Sequence, residues 1–261
     1  MTSHDPYGQA EFGLRFDWGP QGAGAISLGA AAVVVVDVLS FTTTLSVACD
    51  LGVDVFPYRS PDPSAESFAA SKAAVLAVGR RSAGTTGVSL SPLSIRRAAA
   101  AGGSLAGGAK LVLPSPNGAA ISRHLAERNA LVVGASLRNA AACARWIVDA
   151  VEGPIAVVAA GERWPGDALR PAVEDLWGAG YIIDALVDLG TGSMSPEAAA
   201  ARAAFRSLGS AVAAMAGCGS GRELAAAGYA EEIAVAAEVD TSDVVPVLTG
   251  EVFCGVTRGC R

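Results

Sequence analysis

The segment Ala31–Val36, which ends in four consecutive valines, constrains the fold more than any other stretch of this chain. It has no polar face, so it cannot lie half-exposed on a sheet. It reads as a strand buried on both sides, the signature of a mostly parallel sheet covered by helices. The run stops at Asp37, and Ser40, Thr42, Thr43 and Thr44 follow, leading into a helical Ala/Leu/Val segment to Leu51. The same order of apolar strand, small polar loop and helix recurs three times. Lys110–Leu113 meets Pro114-Ser115-Pro116-Asn117-Gly118 and a helix from Ala119 to Arg128. Leu131–Val133 meets Gly134–Asn139 and an Ala-rich helix to Val151. Ile155–Val158 meets Ala159–Glu162. Alternation of Phe12, Leu14, Phe16 and Trp18 adds a half-buried strand, Ala172 to about Ala237 reads as largely helical, and Val244–Val247 and Glu251–Cys254 offer closing strands. The expected class is α/β, with mostly parallel sheets in a three-layer α/β/α arrangement. In such sheets ligands sit beyond the carboxyl ends of the strands, where these polar loops gather.

The 261 residues suffice for one domain, 1–261, with a division into two lobes near 130–155 as the variant. Only 17% of residues are charged and the net charge is −6, with no Lys/Arg cluster, which argues against nucleic acid as a partner. No apolar run approaches the ~18 residues of a membrane span, and Met1–Gln9 is too polar for a secretory signal. Five cysteines without a C-x-x-C pair fit reduced thiols and a cytoplasmic protein. Oligomeric state, a homo-oligomer included, is left open.

Several chemistries lack material. There is no Walker loop, no G-x-G-x-x-G after a strand, no G-x-S-x-G and no H-E-x-x-H. The histidines are only His4, in the tail, and His124, which reads as a solvated helix-face residue. Gly217–Gly221 reads as a helix break with its N-cap. What remains are carboxylates, hydroxyls and backbone amides. Asp37 ends a fully apolar strand, where an unpaired charge is costly; an N-cap or Asx turn is the plain alternative. Ser40 and Thr42–Thr44 at one helix start, with Ser115, Asn117 and Gly118 at another, offer donors suited to phosphate. Glu174-Asp175 follows Pro171 in the first turn of a helix. The pair either complements the helix dipole or, with Asp37, forms a hard-cation site for Mg²⁺. Phosphate loops beside a Mg²⁺ carboxylate site imply phosphoryl transfer or phosphate-ester hydrolysis on a small phosphorylated anion. A non-catalytic anion- or nucleotide-binding protein of the same fold is the competing reading.

These residues resemble the 2-phosphosulfolactate phosphatase (ComB-like) family. Its D-V-L-R-A-T-T-T segment matches Asp37–Thr44, its T-N-G loop matches Pro116-Asn117-Gly118, and its N-A helix start matches Asn139-Ala140. The A-G…E-D-x-x-x-A-G block matches Ala160-Gly161 and Glu174-Asp175…Ala179-Gly180. A late G-R-x-L…G matches Gly221-Arg222-Glu223-Leu224…Gly228, and V-P matches Val245-Pro246. The resemblance implies two intertwined three-layer lobes and a Mg²⁺-dependent phosphatase acting on 2-phospho-3-sulfolactate in a step toward coenzyme M. Asn139 and Arg222 would join the substrate-binding set. The chain departs from the pattern at Ser40-Phe41, where the family has Arg-Ala. It departs again at Gly79-Arg80-Arg81, where the family has G-E-R, and the family's late Asp falls at Glu232. Arg80, Arg81, Arg138 and Arg222 could compensate for the missing cation, and Arg222 is the best placed by sequence.

Overall fold

A computed structural model describes residues 5–60, 62–84, 86–100 and 102–257 of the chain; His4 and Cys260 lie outside them. Strands β1 (Leu14–Trp18) and β2 (Ala32–Val36) flank helix α1 (Gly19–Ile26), and α2 (Phe41–Asp50) follows. Next come β3 (Asp54–Tyr58), α3 (Pro63–Ser71), β4 (Val75–Leu76), α4 (Arg80–Ala83), α5 (Pro92–Ala99), β5 (Lys110–Pro114) and α6 (Gly118–Ala126). The chain continues through β6 (Val132–Ala135), α7 (Ala140–Ala150) and β7 (Ile155–Ala159) into a small hairpin, β8 (Glu162–Arg163) and β9 (Leu169–Arg170). Five helices follow: α8 (Val173–Asp188), α9 (Pro196–Arg206), α10 (Ala211–Gly217), α11 (Gly219–Ala226) and α12 (Ala230–Ala236). Strands β10 (Val245–Thr249) and β11 (Val252–Val256) close the order.

Nine strands form one sheet in the order β1-β7-β2-β6-β10-β11-β3-β5-β4. Strands β1, β7, β2 and β6 are mutually parallel, as are β3, β5 and β4. The antiparallel hairpin β10–β11 joins the two half-sheets, pairing with β6 on one side and β3 on the other. The chain therefore starts in one half-sheet, crosses to the other after α2, and returns after α6. The valine run shows why helices must cover both faces. Ala32, Val34 and Val36 pack into a core with α7, α8 and α9, while Val33 and Val35 pack into a second core with α1, α2 and α6. All five residues of β2 are fully buried. The helical expectation for residues 172–237 holds as α8–α12. The expected break at Gly217–Gly221 is an N-cap in which the Cys218 Sγ accepts from the Gly221 amide (3.3 Å). One junction differs from the expected strand–loop–helix grammar: after β7 the chain makes the β8–β9 hairpin before entering α8. Gly161, at φ +67°, turns the chain there.

Helix α8 lies so close to its neighbours that two of its glycines have no room for a side chain. A Cβ at Gly178 would meet the side chains of Val36 and Val38 at 2.8 Å. One at Gly180 would run into the carbonyl oxygen of Ala201 on α9, which a rotamer change cannot relieve. Gly180→Ala is therefore expected to lower unfolding free energy in urea by about 1–3 kcal/mol. Gly209→Ala, where a Cβ meets nothing within 4 Å, should change it by less than about 0.5 kcal/mol.

Candidate active site

The site is built around Asp37. Its carboxylate is 5% exposed and lies just past the carboxyl end of β2. Its Oδ1 accepts from the Phe41 amide (3.1 Å), the first residue of α2. Its Oδ2 accepts from the Gly118 amide (2.8 Å), the first residue of α6, and from Ser115 Oγ (3.4 Å). Two helix N-termini, each with partial positive charge, thus converge on one carboxylate, and they come from strands in different half-sheets. The approach requires glycine at 118: a Cβ there would sit 2.6 Å from the Phe41 ring and 2.7 Å from Asp37 Oδ2. Burial still raises the Asp37 pKa. The two amides oppose the shift, and the charge of Glu174 adds to it.

The acids at the start of α8 are not an exposed helix end. Glu174 and Asp175 are 2% and 3% exposed. Asp175 Oδ1 accepts from the Val38 amide (2.7 Å) and Oδ2 from the Gly161 amide (2.9 Å), so it clamps the ends of β2 and β7 to α8. Its pKa lies well above the usual carboxylate range, because of burial first and then the charges of Asp37 and Glu174. A fourth acid, Glu162, joins them from the β8–β9 hairpin. Its Oε2 accepts from Asn117 Nδ2 (3.0 Å). Burial and the Asp37 charge push its pKa up to about 7. Among the described residues none of the four acids forms an ion pair with a lysine or arginine. No three acid, histidine or cysteine side chains among those residues stand close enough to make a closed metal cage.

A cavity of about 570 Å³ opens at Glu162, the one of these four acids in its wall, which also holds Asn117, Arg163, His124 and Arg59. His124 is therefore half-buried on a cavity rather than on a free helix face. Arg163 braces the loop before α6 through Asn117 Oδ1 (3.3 Å) and the Pro116 carbonyl (3.2 Å). Arg170 lies with its guanidinium 5.7 Å from the Trp164 ring and 3.4 Å from Ser220 Oγ. Among the described residues it has no carboxylate partner within ion-pair distance, and its charge opposes the upward shift of Glu162.

Asp37, Ser115, Asn117, Gly118, Glu174 and Asp175 are brought together. Other expected residues are placed differently. The Thr42 hydroxyl donates to the Asp37 carbonyl (2.8 Å) and that of Thr43 to the Val38 carbonyl (2.7 Å), and both residues are fully buried. These hydroxyls shape the turn that carries Asp37 instead of facing the cavity. The Thr44 hydroxyl is buried without a partner. Ser40 Oγ accepts from Arg80 Nη2 (2.9 Å). Asn139 is fully buried at the end of β6, where its Oδ1 holds the Ser136 amide (2.9 Å) and its Nδ2 reaches two carbonyls. Arg138 pairs with Asp50 (2.7 Å) and Glu238 as part of the framework. Arg222 is exposed on α11. The cation beside Ser40 is thus Arg80, whereas the sequence favoured Arg222. Glu162 lies in one of the loops expected to build the site, although no role was assigned to it, and Arg170 was missed because the hairpin that carries it was not foreseen.

Comparison with known proteins decides the family. A model of the 2-phosphosulpholactate phosphatase family matches residues 23–251. The chain belongs to that family. It is also similar to a probable 2-phosphosulfolactate phosphatase from Deinococcus radiodurans, with 29% identity over 218 residues, covering 82% of this chain and 86% of the relative. Membership places this family member among the phosphoric monoester hydrolases. Among its described residues, no helix is long and apolar enough to cross a membrane.

The raised Glu162 pKa has a defined effect on stability. The unfolded group titrates near 4.5 and the folded one near 7, so the folded protein holds the extra proton. Below pH 4.5 this group costs nothing; between 4.5 and 7 stability is lost as pH rises; above 7 the loss is complete. The loss is at most about 3 kcal/mol. Thermal melts should show Glu162→Gln gaining on wild type from pH 5 to pH 8 in chelator-treated protein. A gap that stays constant with pH would refute the assignment.

Proposed function

We propose that this chain hydrolyses the phosphate ester of 2-phosphosulfolactate to sulfolactate and phosphate, with Mg²⁺, in a step toward coenzyme M. The observation that carries the reading is the convergence of Asp37, Glu162, Glu174 and Asp175 beside a cavity at the carboxyl ends of β2 and β7. The family and the name of the Deinococcus relative support the substrate. The donor set fits Mg²⁺: the oxygens are hard, buried, mutually repelling and without a protein counter-ion. Mg²⁺ needs only one or two carboxylates and keeps water in its other positions, so a closed three-ligand cage is not required. One or two of Asp37, Glu174 and Asp175 would hold it. Bound there, Mg²⁺ would neutralise charge on the phosphoryl oxygens as the transition state forms.

The protein's own groups then have separate tasks. Asn117 and Arg163 fix the loop before α6, and with it the position of Glu162. Arg170 acts on the charge of Glu162 and has no carboxylate partner among the described residues, which suits it to a phosphoryl oxygen. Glu162, half protonated near neutral pH, is the proton donor. A water oxygen bonds to phosphorus as the ester P–O bond breaks, and Glu162 gives its proton to the departing alkoxide oxygen. The proton shed by the water restores Glu162 to its acid form. Both oxygens of Asp37 are tied to backbone amides, which favours a water over Asp37 as the attacking group.

Asp37→Asn should lower phosphate release by at least about a thousandfold while the cooperative melt is retained. A chelator should silence the wild type, and added Mg²⁺ should restore it. An Asp37→Asn protein with wild-type turnover would overturn the proposed reaction. Arg170→Gln should raise KM for the ester more than it lowers kcat, as read by steady-state phosphate release.

A further inference from the structure

Three separated segments meet at Arg80: the Asp37 turn through Ser40, the start of α4, and α12 through Glu232. Arg80 Nη2 donates to Ser40 Oγ (2.9 Å) and to Glu232 Oε2 (2.8 Å), and Nε donates to the same carboxylate (3.0 Å). Nη1 has no protein acceptor among the described residues. Glu232 is nearly buried, with 5% of its side chain exposed, while 20% of the Arg80 side chain is exposed. Arg80 also lies over the Tyr229 ring at 5.6 Å. A second cavity, of about 790 Å³, has Arg80, Glu232, Tyr229, Ser89 and Ser91 in its wall. Exposed Arg96, Arg97 and Glu231 also line it, and Arg96 is paired with Glu238 (2.9 Å), so Arg80 is the cation of this wall that is bonded to the Asp37 turn.

A structural ion pair alone would not need this location. Ser40 is three residues from Asp37 in a single hydrogen-bonded turn, closed by the Thr42 amide on the Asp37 carbonyl (2.8 Å). Their Cα atoms are therefore at most about 10 Å apart. That separation is within the length of a three-carbon phosphoester, while the cavity at Glu162 and the cavity at Arg80 have no lining residue in common. Glu232 holds the Arg80 guanidinium in a fixed orientation and leaves Nη1 for a ligand oxygen.

We infer that Arg80 is a specificity-determining residue: its Nη1 takes the second oxyanion of the substrate, a carboxylate or sulfonate carried on the alcohol part of the phosphoester. This rests on the phosphatase reading for the substrate but can be tested apart from turnover. The probe is sulfoacetate, which carries both oxyanions and no phosphate, titrated calorimetrically into wild type, Arg80→Gln and Glu232→Gln, with inorganic phosphate as the control. Arg80→Gln should weaken sulfoacetate binding by about tenfold or more and leave phosphate binding within about twofold. Glu232→Gln, which loses the ion pair that orients the guanidinium, should also weaken sulfoacetate binding and leave phosphate binding within about twofold.

Wild type that does not bind sulfoacetate, or variants that weaken both ligands equally, would overturn the inference. If Arg80→Gln fails to fold, a folded Glu232→Gln that binds sulfoacetate as tightly as wild type would do so. The kinetic arm separates the two proposals by comparing 2-phosphosulfolactate with p-nitrophenyl phosphate, which lacks a second oxyanion. Arg80-dependent sulfoacetate binding without hydrolysis of any ester defeats the proposed reaction alone. Hydrolysis whose KM for both esters ignores Arg80→Gln defeats this inference alone.

Discussion

Everything at the site depends on keeping one carboxylate charged in the wrong place. Asp37 lies at the end of a strand with no polar neighbour on either face, where an isolated charge would be heavily penalised. The fold answers with the first amide of α2 and the first amide of α6, one on each oxygen. Because α2 follows β2 and α6 follows β5, that single carboxylate fastens the two half-sheets to each other. Glycine at 118 is what lets the second helix come close enough. The threonines after Asp37 belong to the same device, since their hydroxyls satisfy the carbonyls of the turn that presents it.

Asp175 does the corresponding work from the helical layer, holding the amides of Val38 and Gly161. Gly178 and Gly180 allow α8 to lie flat enough for this reach. With Glu162 and Glu174, four acids share a small volume without a lysine or arginine paired to any of them. Burial first, and then repulsion among them, raises the pKa values of Asp37, Asp175 and Glu162 and works against folding. Such an arrangement persists where function exploits the destabilisation, here by drawing a cation and by keeping a proton on Glu162 near neutral pH.

Much of this was legible in the sequence, for identifiable reasons. The valine run announced a strand covered on both sides, and the polar residues after four apolar strands marked the end of the sheet that carries the site. Asp37 and the Glu174-Asp175 pair stood out because charge is scarce in this chain. Strands β3 and β4 were not legible. Pro57 interrupts the first, and the second is only two residues long. The β8–β9 hairpin was hidden because the stretch between β7 and the helix after Pro171 read only as a loop, although Pro165-Gly166 marked its turn. Hydroxyl direction was not legible either: Thr42 and Thr43 look alike as ligand donors or as caps until the carbonyls they meet are known. The partner of Ser40 lies 40 residues along the chain and the partner of Arg80 a further 152, separations that local pattern does not encode.

The position of β10 and β11 has a consequence for how the protein is made. These two strands occupy the middle of the sheet, yet they are synthesised after every other strand in it. Until they emerge from the ribosome, β6 and β3 each present an open, apolar edge, and nothing zips the halves together. The nascent chain must therefore hold two unfinished sheets apart, an exposure that invites association with neighbours. Its late-forming contacts are also distant in sequence, a topology that slows folding. Productive biogenesis would then hinge on how soon residues 245–256 leave the exit tunnel, so shielding of the nascent edges by a chaperone would matter most until they do.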